Sequence, residues 1–264
     1  MKNRKAIITL MRGTIGDNYQ RWQDNIIALR NKSIDVNLKD KCDFIIFHEG
    51  NLIEEHQKFI VQKSLIIPRI KFVEIKDFKT IDKKIHSRLE DKGVYNSGYA
   101  SMCKFWFSSF INYLDDYDYV IRIDDDCIVD SNVDQVFEEL ESKYIVAPQF
   151  SEETHRKGLV EFIEEFLVEK NLILENNDMG ESFNGPYTNY CGYNLSKIRS
   201  NSNIMDYIKK INDSENIYIK NWQDVALWGS VMKCFLGEND YKELKNVSYF
   251  HLSHLNYPNG RRKS

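Results

Sequence analysis

An α/β fold is predicted for this chain, with a mixed, mainly parallel central sheet flanked by helices, and three observations predict it. Short apolar, β-branched runs alternate with stretches of helical spacing. One such run, Tyr119-Val-Ile-Arg-Ile123, ends abruptly in the carboxylates Asp124, Asp125 and Asp126. No Pro-, Gly- or Ser-rich linker divides the 264 residues, so one large domain is expected over 1–264, long enough for a substantial core.

Taken in order, Ala6–Met11 reads as a first buried strand, followed by the turn-rich loop Arg12-Gly-Thr-Ile-Gly-Asp17, which opens an amphipathic helix. Arg12 is either a diphosphate contact or a surface charge beside a glycine-shaped turn. Asp43–Phe47 is a second strand and Asn51–Gln62 a helix. His48-Glu49, lacking a second ligand at helical spacing, reads as a turn rather than a metal site. Ile70–Ile75 alternates with period two, as a strand does.

Ser97–Leu114 places Met102, Cys103, Trp106, Phe107, Phe110 and Tyr113 at threes and fours, which predicts a helix with a wide apolar face. Lys104 lies off that face, either solvated or contacting phosphate or sugar. After the acidic triplet come a short helix at Asn132–Leu140 capped by Asn132 or Ser131, a strand at Tyr144–Pro148, and a helix at Gly158–Leu174. Glu175–Thr188 has no period and reads as a loop. Asn189–Leu195 returns to the sheet, and Ile204–Ile211 is helical.

Trp222–Phe235 carries a helical stripe of Val225, Trp228, Met232 and Phe235, with Asp224 at its start. Asp224 is either a partner of the helix dipole or a site residue. Val247–His251 is a strand ending in His251, either a metal ligand or a core histidine.

The triplet is where chemistry is expected. Ligands of open α/β sheets bind outside the carboxyl ends of the strands. Adjacent carboxylates repel, and a divalent cation holds them ionised together. Oxygen ligands with nucleotide diphosphate oxygens suit Mg²⁺ or Mn²⁺.

With 36 Lys and Arg against 40 Asp and Glu, interleaved to a net charge of −4, nothing points to nucleic acid. The basic run Arg261-Arg262-Lys263 reads as a solvated tail. The apolar stretch Ala6–Met11 is too short for a signal segment or a membrane span. Five scattered cysteines without zinc-site spacing read as buried thiols, and a cytoplasmic setting is expected.

The order of these pieces resembles the fungal α-1,2-mannosyltransferases of the yeast type, which have a GT-A glycosyltransferase fold. Ala6-Ile-Ile-Thr-Leu-Met-Arg12 is similar to that family's Val-Thr-Leu-Ala-Arg, and Tyr99-Ala-Ser-Met-Cys-Lys-Phe105 to its Tyr-Arg-His-Met-Cys-Arg-Phe. Tyr119–Asp126 resembles its Tyr-x-Trp-Arg-Val-Glu-Pro-Asp, which stands where other GT-A enzymes carry Asp-x-Asp. Trp222-Gln-Asp224 matches Trp-Gly-Asp, and Ser248-Tyr-Phe-His251 matches Gly-Tyr-Phe-His.

The resemblance implies a single GT-A-like domain with a nucleotide-sugar site at the strand ends. Residues 1–130 would form a nucleotide-binding half and 131–264 an acceptor-binding half. It implies Asp124, Asp126 and His251 as ligands of Mn²⁺ or Mg²⁺, Asp124–Asp126 and Arg12 at the nucleotide, and Asp224 at the acceptor or anomeric carbon. The implied reaction transfers a sugar, mannose from GDP-mannose being the family's donor, to a glycan hydroxyl. One departure stands out. The family's Asn-Phe-Glu is Asn189-Tyr-Cys191 here, and a cysteine cannot do the work of that Glu, which leaves Asp224 as the leading catalytic carboxylate and the stereochemistry open. The family's anchor and stem have no counterpart in the sequence, so a bacterial or viral relative is expected. The alternatives are a catalytically impaired nucleotide-sugar-binding module and a metal-dependent phosphoesterase.

Overall fold

The structure is a computed structural model and describes residues 4–11, 17–38, 42–64, 69–76, 97–154, 157–172, 179–180 and 182–251, with side chains left out at 17–23 and 97. Arg12 and the basic run at 261–263 lie outside the described residues.

In chain order the elements begin with β1 (Lys5–Met11), α1 (Asp17–Asn37), β2 (Asp43–His48), α2 (Glu54–Lys63), β3 (Ile70–Glu74), α3 (Ser97–Phe107) and a 3-10 turn at Ser109–Tyr113. Next are β4 (Tyr119–Ile123), β5 (Cys127–Val129), α4 (Asp134–Leu140), β6 (Ile145–Ala147), β7 (Phe150–Thr154), α5 (Leu159–Glu169), β8 (Ser182–Pro186) and β9 (Tyr190–Asn194). The chain continues through α6 (Leu195–Ser200), α7 (Ser202–Ser214), α8 (Asn216–Ile219), α9 (Asp224–Phe235), β10 (Tyr241–Glu243) and β11 (Tyr249–His251).

Seven strands form the central sheet in the order β10-β6-β9-β4-β1-β2-β3. Every pairing is parallel except those of β9, which is antiparallel to both β4 and β6. The expected mixed, mainly parallel sheet is thus observed, and four strands from before residue 130 continue into three from after it. β4 is the middle strand, with all five residues buried, four of them apolar and the fifth Arg122.

One face of the sheet packs on α3, α5, α7 and α9 through Trp106, Phe110, Tyr193, Tyr207 and Trp228; Ile34, Phe137 and Leu140 cover the other. α7 shows why these residues form a helix. Ile204, Tyr207, Ile208 and Ile211 are buried at helical spacing, and Asn201 caps the start by accepting from the Ile204 N–H at 3.2 Å.

Three expectations needed correction. The helix expected over Ser97–Leu114 ends at Phe107, where Ser108 turns its hydroxyl back onto the Lys104 carbonyl at 2.9 Å and the chain tightens into a 3-10 turn. The expected loop at 175–188 contains β8, which pairs antiparallel with β7 in a separate two-stranded ribbon. The helix expected to run to Leu174 stops at Glu169, beyond which Asn171 takes a φ of 52°.

β8 is held by backbone proximity rather than side-chain bulk. A Cβ on Gly185 would sit 2.1 Å from the Val225 carbonyl oxygen, and one on Gly229 would sit 2.9 Å from the Phe183 Cβ. The two glycines let strand and helix touch, which fixes the start of α9 against the segment that leads into Asn189.

Candidate active site

Arg122 is the centre of the site. A charge inside a buried central strand is costly unless paired, and this one is 2% exposed. Its Nε donates to Asp124 Oδ1 at 2.9 Å and Nη2 to Asp124 Oδ2 at 3.3 Å, while Nη1 donates to Asp224 Oδ2 at 2.7 Å. The indole of Trp106 lies 4.4 Å below the guanidinium carbon. Burial works against the Arg122 charge, but Asp124 and Asp224 outweigh it and hold its pKa above the usual value. The strand end and the first turn of α9 are therefore joined by one cation. Sequence reasoning gave Arg122 no role; the readable signal was an arginine at a strand position flanked by Ile121 and Ile123.

The triplet is a tight turn. Cys127 N donates to the Asp124 carbonyl at 3.0 Å, and the chain reverses into β5, whose antiparallel partner β11 sets His251 opposite Cys127. This brings His251 Nε2 to 3.0 Å from Asp126 Oδ1. Behind it, Tyr249 Oη donates to Asn189 Oδ1 at 2.7 Å, and Asn189 Nδ2 lies 3.0 Å from His251 Nδ1. Asn189 also accepts from the Asp124 N–H at 2.9 Å through its carbonyl. The imidazole is thus oriented by a chain of buried polar groups. Burial pulls the His251 pKa down, and the hydrogen bond and charge of Asp126, with Asp124 and Asp125, raise it beyond the ordinary value.

The carboxylates strain against one another. Asp125 is pushed up to about 7 by burial and by the charges of Asp126 and Asp124, with Arg30 opposing. Asp124 is raised chiefly by burial, against which Arg122 acts. Arg30 itself is buried and donates to Thr9 Oγ1 at 2.8 Å and Asn31 Oδ1 at 2.8 Å.

The donor set fits a hard divalent cation. Ligand atoms of Asp126, Cys127 and His251 lie within 4.8 Å of one another, and Asp126 and His251 already face each other. Cys127 is fully buried, burial raises its thiol pKa well above the ordinary value, and its Sγ lies 3.7 Å from the Asn189 carbonyl. The carboxylate of Asp126 and the imidazole of His251 make a mixed oxygen and nitrogen set suited to Mn²⁺. Asp124, expected as a further ligand, stands outside this group with Arg122 on both its oxygens.

Asp224 is 3% exposed at the start of α9. Cys191 pairs in register with Arg122 across β9, fully buried, and burial pushes its thiol up to about 12. Two residues set aside in the sequence have local roles: His48 Nδ1 accepts from the Gly50 N–H at 3.1 Å in a turn, and Lys104 lies over the Tyr218 ring at 5.6 Å.

No protein-family model and no curated protein matches this sequence. Solved structures do match its fold. The mannosyltransferase Ktr4p from S. cerevisiae superposes with a TM-score of 0.75 at 17% identity, over 98% of this chain and 72% of that one. Core-mannan synthase A from Aspergillus fumigatus, in its Mn/GDP form, gives a TM-score of 0.77 at 16% identity, over 95% and 75%. Mouse xyloside xylosyltransferase 1 gives 0.55 at 12% identity, over 91% and 85%. The chain therefore has the GT-A fold of the glycosyltransferases, built as it is in the fungal mannosyltransferases.

Proposed function

We propose that this protein is a divalent-cation-dependent glycosyltransferase that moves a sugar from a nucleotide-sugar to a hydroxyl of a glycan acceptor. The observation that carries the reading is the joining of Asp124 and Asp224 by one buried guanidinium, beside the facing pair Asp126 and His251, at the carboxyl end of the central strand. Such a site can take a diphosphate on its cation side and a sugar on its carboxylate side.

Asp126 and His251 are the side chains that would hold Mn²⁺ or Mg²⁺, with Asp124 beside them; the bound ion would neutralise charge on the departing nucleoside diphosphate. Arg122 holds Asp124 and Asp224 at a fixed separation, so neither has to be ordered when substrate arrives. Asp224 is the carboxylate assigned to the acceptor side, as base or as positioning group. Arg12 and Asp125 complete the nucleotide side. Residues 1–130 then serve the nucleotide and 131–264 the acceptor, with His251 of the second half reaching back to the cation beside Asp126.

Mannose from GDP-mannose is the donor favoured by the likeness to the fungal enzymes. No helix among the described residues is long and apolar enough to cross a membrane. The five cysteines are all free, which suits a reducing compartment such as the cytoplasm.

The test is transfer or donor hydrolysis by purified protein across a panel of GDP- and UDP-sugars, with and without EDTA. Metal-dependent turnover of one donor supports the reading, and turnover of none defeats it. The buried Cys191 thiol, unable to act as a nucleophile, favours a second reading as a nucleotide-sugar-binding module without transfer. Asp224→Asn separates the two, since only an enzyme has turnover to lose.

A further inference from the structure

Two buried arginines flank the acidic turn, one from each face of the sheet. Arg122 points to the face of Trp106, over whose ring it lies, while its neighbours Ile121 and Ile123 belong to the core on the other face. That other face is where α1 packs, through Ile34. Thr9 follows Ile8 in β1, and Ile8 pairs with Arg122, so Thr9 stands level with Ile123, the last residue before Asp124. Strand alternation turns its side chain away from the face of Ile8 and toward that of Ile7 and α1. There it accepts from Arg30 Nη1 at 2.8 Å.

A second tie holds the same turn of α1 to the far side of the triplet. Ser33 Oγ donates to the Arg30 carbonyl at 2.7 Å and accepts from the Val129 N–H of β5 at 3.3 Å. Arg30 is therefore fixed between the strand that enters the acidic turn and the strand that leaves it. It is 1% exposed, and among the described residues its guanidinium bonds only to neutral oxygens, those of Thr9 and Asn31. A buried charge needs a compensating charge. Burial lowers the Arg30 pKa to about 10, and the charge that most opposes burial is Asp125, with Asp124 and Asp126 adding to it. The influence is mutual, since Arg30 is the cation that pulls against the rise at Asp125.

We propose that Arg30 is a positioning residue, the resident counter-charge of the acidic turn, which holds the carboxylates together while no divalent cation is bound and opposes that cation when it arrives. The assignment rests on the cation site of the reading above and not on sugar transfer. A turn built this way keeps its shape when the ion leaves, and its grip on the ion is weaker for it.

The experiment is calorimetric titration of wild type, Arg30→Met and Arg30→Lys with Mn²⁺ alone, alongside thermal melting in EDTA and in Mn²⁺. Arg30→Met is expected to bind Mn²⁺ at least about tenfold more tightly, the order for removing an interior positive charge near a divalent ion. It should melt below wild type in EDTA, and saturating Mn²⁺ should raise its melting temperature more than that of wild type. Arg30→Lys keeps the charge and loses the guanidinium fork, and should bind Mn²⁺ within about threefold of wild type. A residue that only fills space would give weaker or unchanged Mn²⁺ binding in Arg30→Met, or equal changes in both variants. Either result overturns the proposal.

If Arg30→Met does not fold, Arg30→Met/Asp125→Asn answers instead, since a turn with one carboxylate fewer needs less positive charge beneath it. The double variant should fold, and a chain that stays unfolded overturns the proposal. Wild type and Arg30→Met that bind Mn²⁺ alike defeat the role of Arg30 while leaving the cation site standing. If neither binds Mn²⁺, the proposal and the cation reading fall together.

Discussion

Arg122 Nη1 lies 2.7 Å from Asp224 Oδ2, a contact between residues 102 apart in sequence and both almost wholly buried. Removing one partner leaves an uncompensated charge in the interior. Arg122→Met is expected to destabilise the protein by about 3–5 kcal/mol. Arg122→Met/Asp224→Asn should cost less than the sum of the single changes. Urea unfolding of the three variants measures it, and additive losses would show that the pair is not coupled.

Gly185 is where β8 meets the backbone of α9. Gly185→Ala places a methyl group 2.1 Å from the Val225 carbonyl oxygen, a backbone atom that no side-chain rotation can clear. A loss of at least about 1–3 kcal/mol is expected, as for other overpacked contacts. Because the shift would move the start of α9, turnover should fall further than stability alone explains. A thermal melt and an activity assay below the transition check this, and wild-type values in both would refute it.

The acidic turn should divide into unequal parts. Asp126→Ala and His251→Ala are expected to weaken Mn²⁺ binding at least about tenfold, as losses at metal sites do. Asp125→Ala should weaken it less, and Asp124→Ala should also release Arg122 and lower stability. Electron paramagnetic resonance of free Mn²⁺ across the four variants ranks them. Asp125→Ala as the most damaging change would mean that the turn presents a different carboxylate to the ion.

A surface cluster at the opposite end of the sheet sets a pH dependence. Burial pushes the Asp43 pKa up, but hydrogen bonds from Lys71 at 2.6 Å and Tyr117 at 2.5 Å, with the charges of Lys71 and Arg4, bring it below the ordinary value. A depressed folded value means the stabilisation is present above the unfolded pKa of about 3.9 and is lost as pH falls through the folded value. Asp43→Asn should therefore cost about 0.5–1 kcal/mol near neutrality, modest because the cluster is solvent-accessible. The gap between variant and wild type should close in strong acid, as read by denaturant unfolding from pH 7 to pH 2.5. A gap independent of pH would exclude the ionic contribution.

Much of this was readable from residue order, and the failures have physical causes. β4 and its acidic end stood out because a mostly apolar run stopped at three carboxylates. Asp224 and His251 could be named because each sits at the end of an apolar element. Arg122 was passed over because its second partner, Asp224, lies 102 residues away, a distance that no local pattern encodes. β8 was missed because Ser-Phe-Asn-Gly-Pro has little strand propensity of its own; pairing with β7 and contact with α9 make it a strand. Ser108 ended α3 without a glycine or proline to announce it.

The pairing of β5 with β11 has a consequence for how the molecule is made. Asp126 precedes His251 by the whole of α4 to β11, so a growing polypeptide carries the acidic turn long before it has the imidazole that faces it. A fragment ending before Tyr249 should therefore show its repelling carboxylates without the strand that faces them.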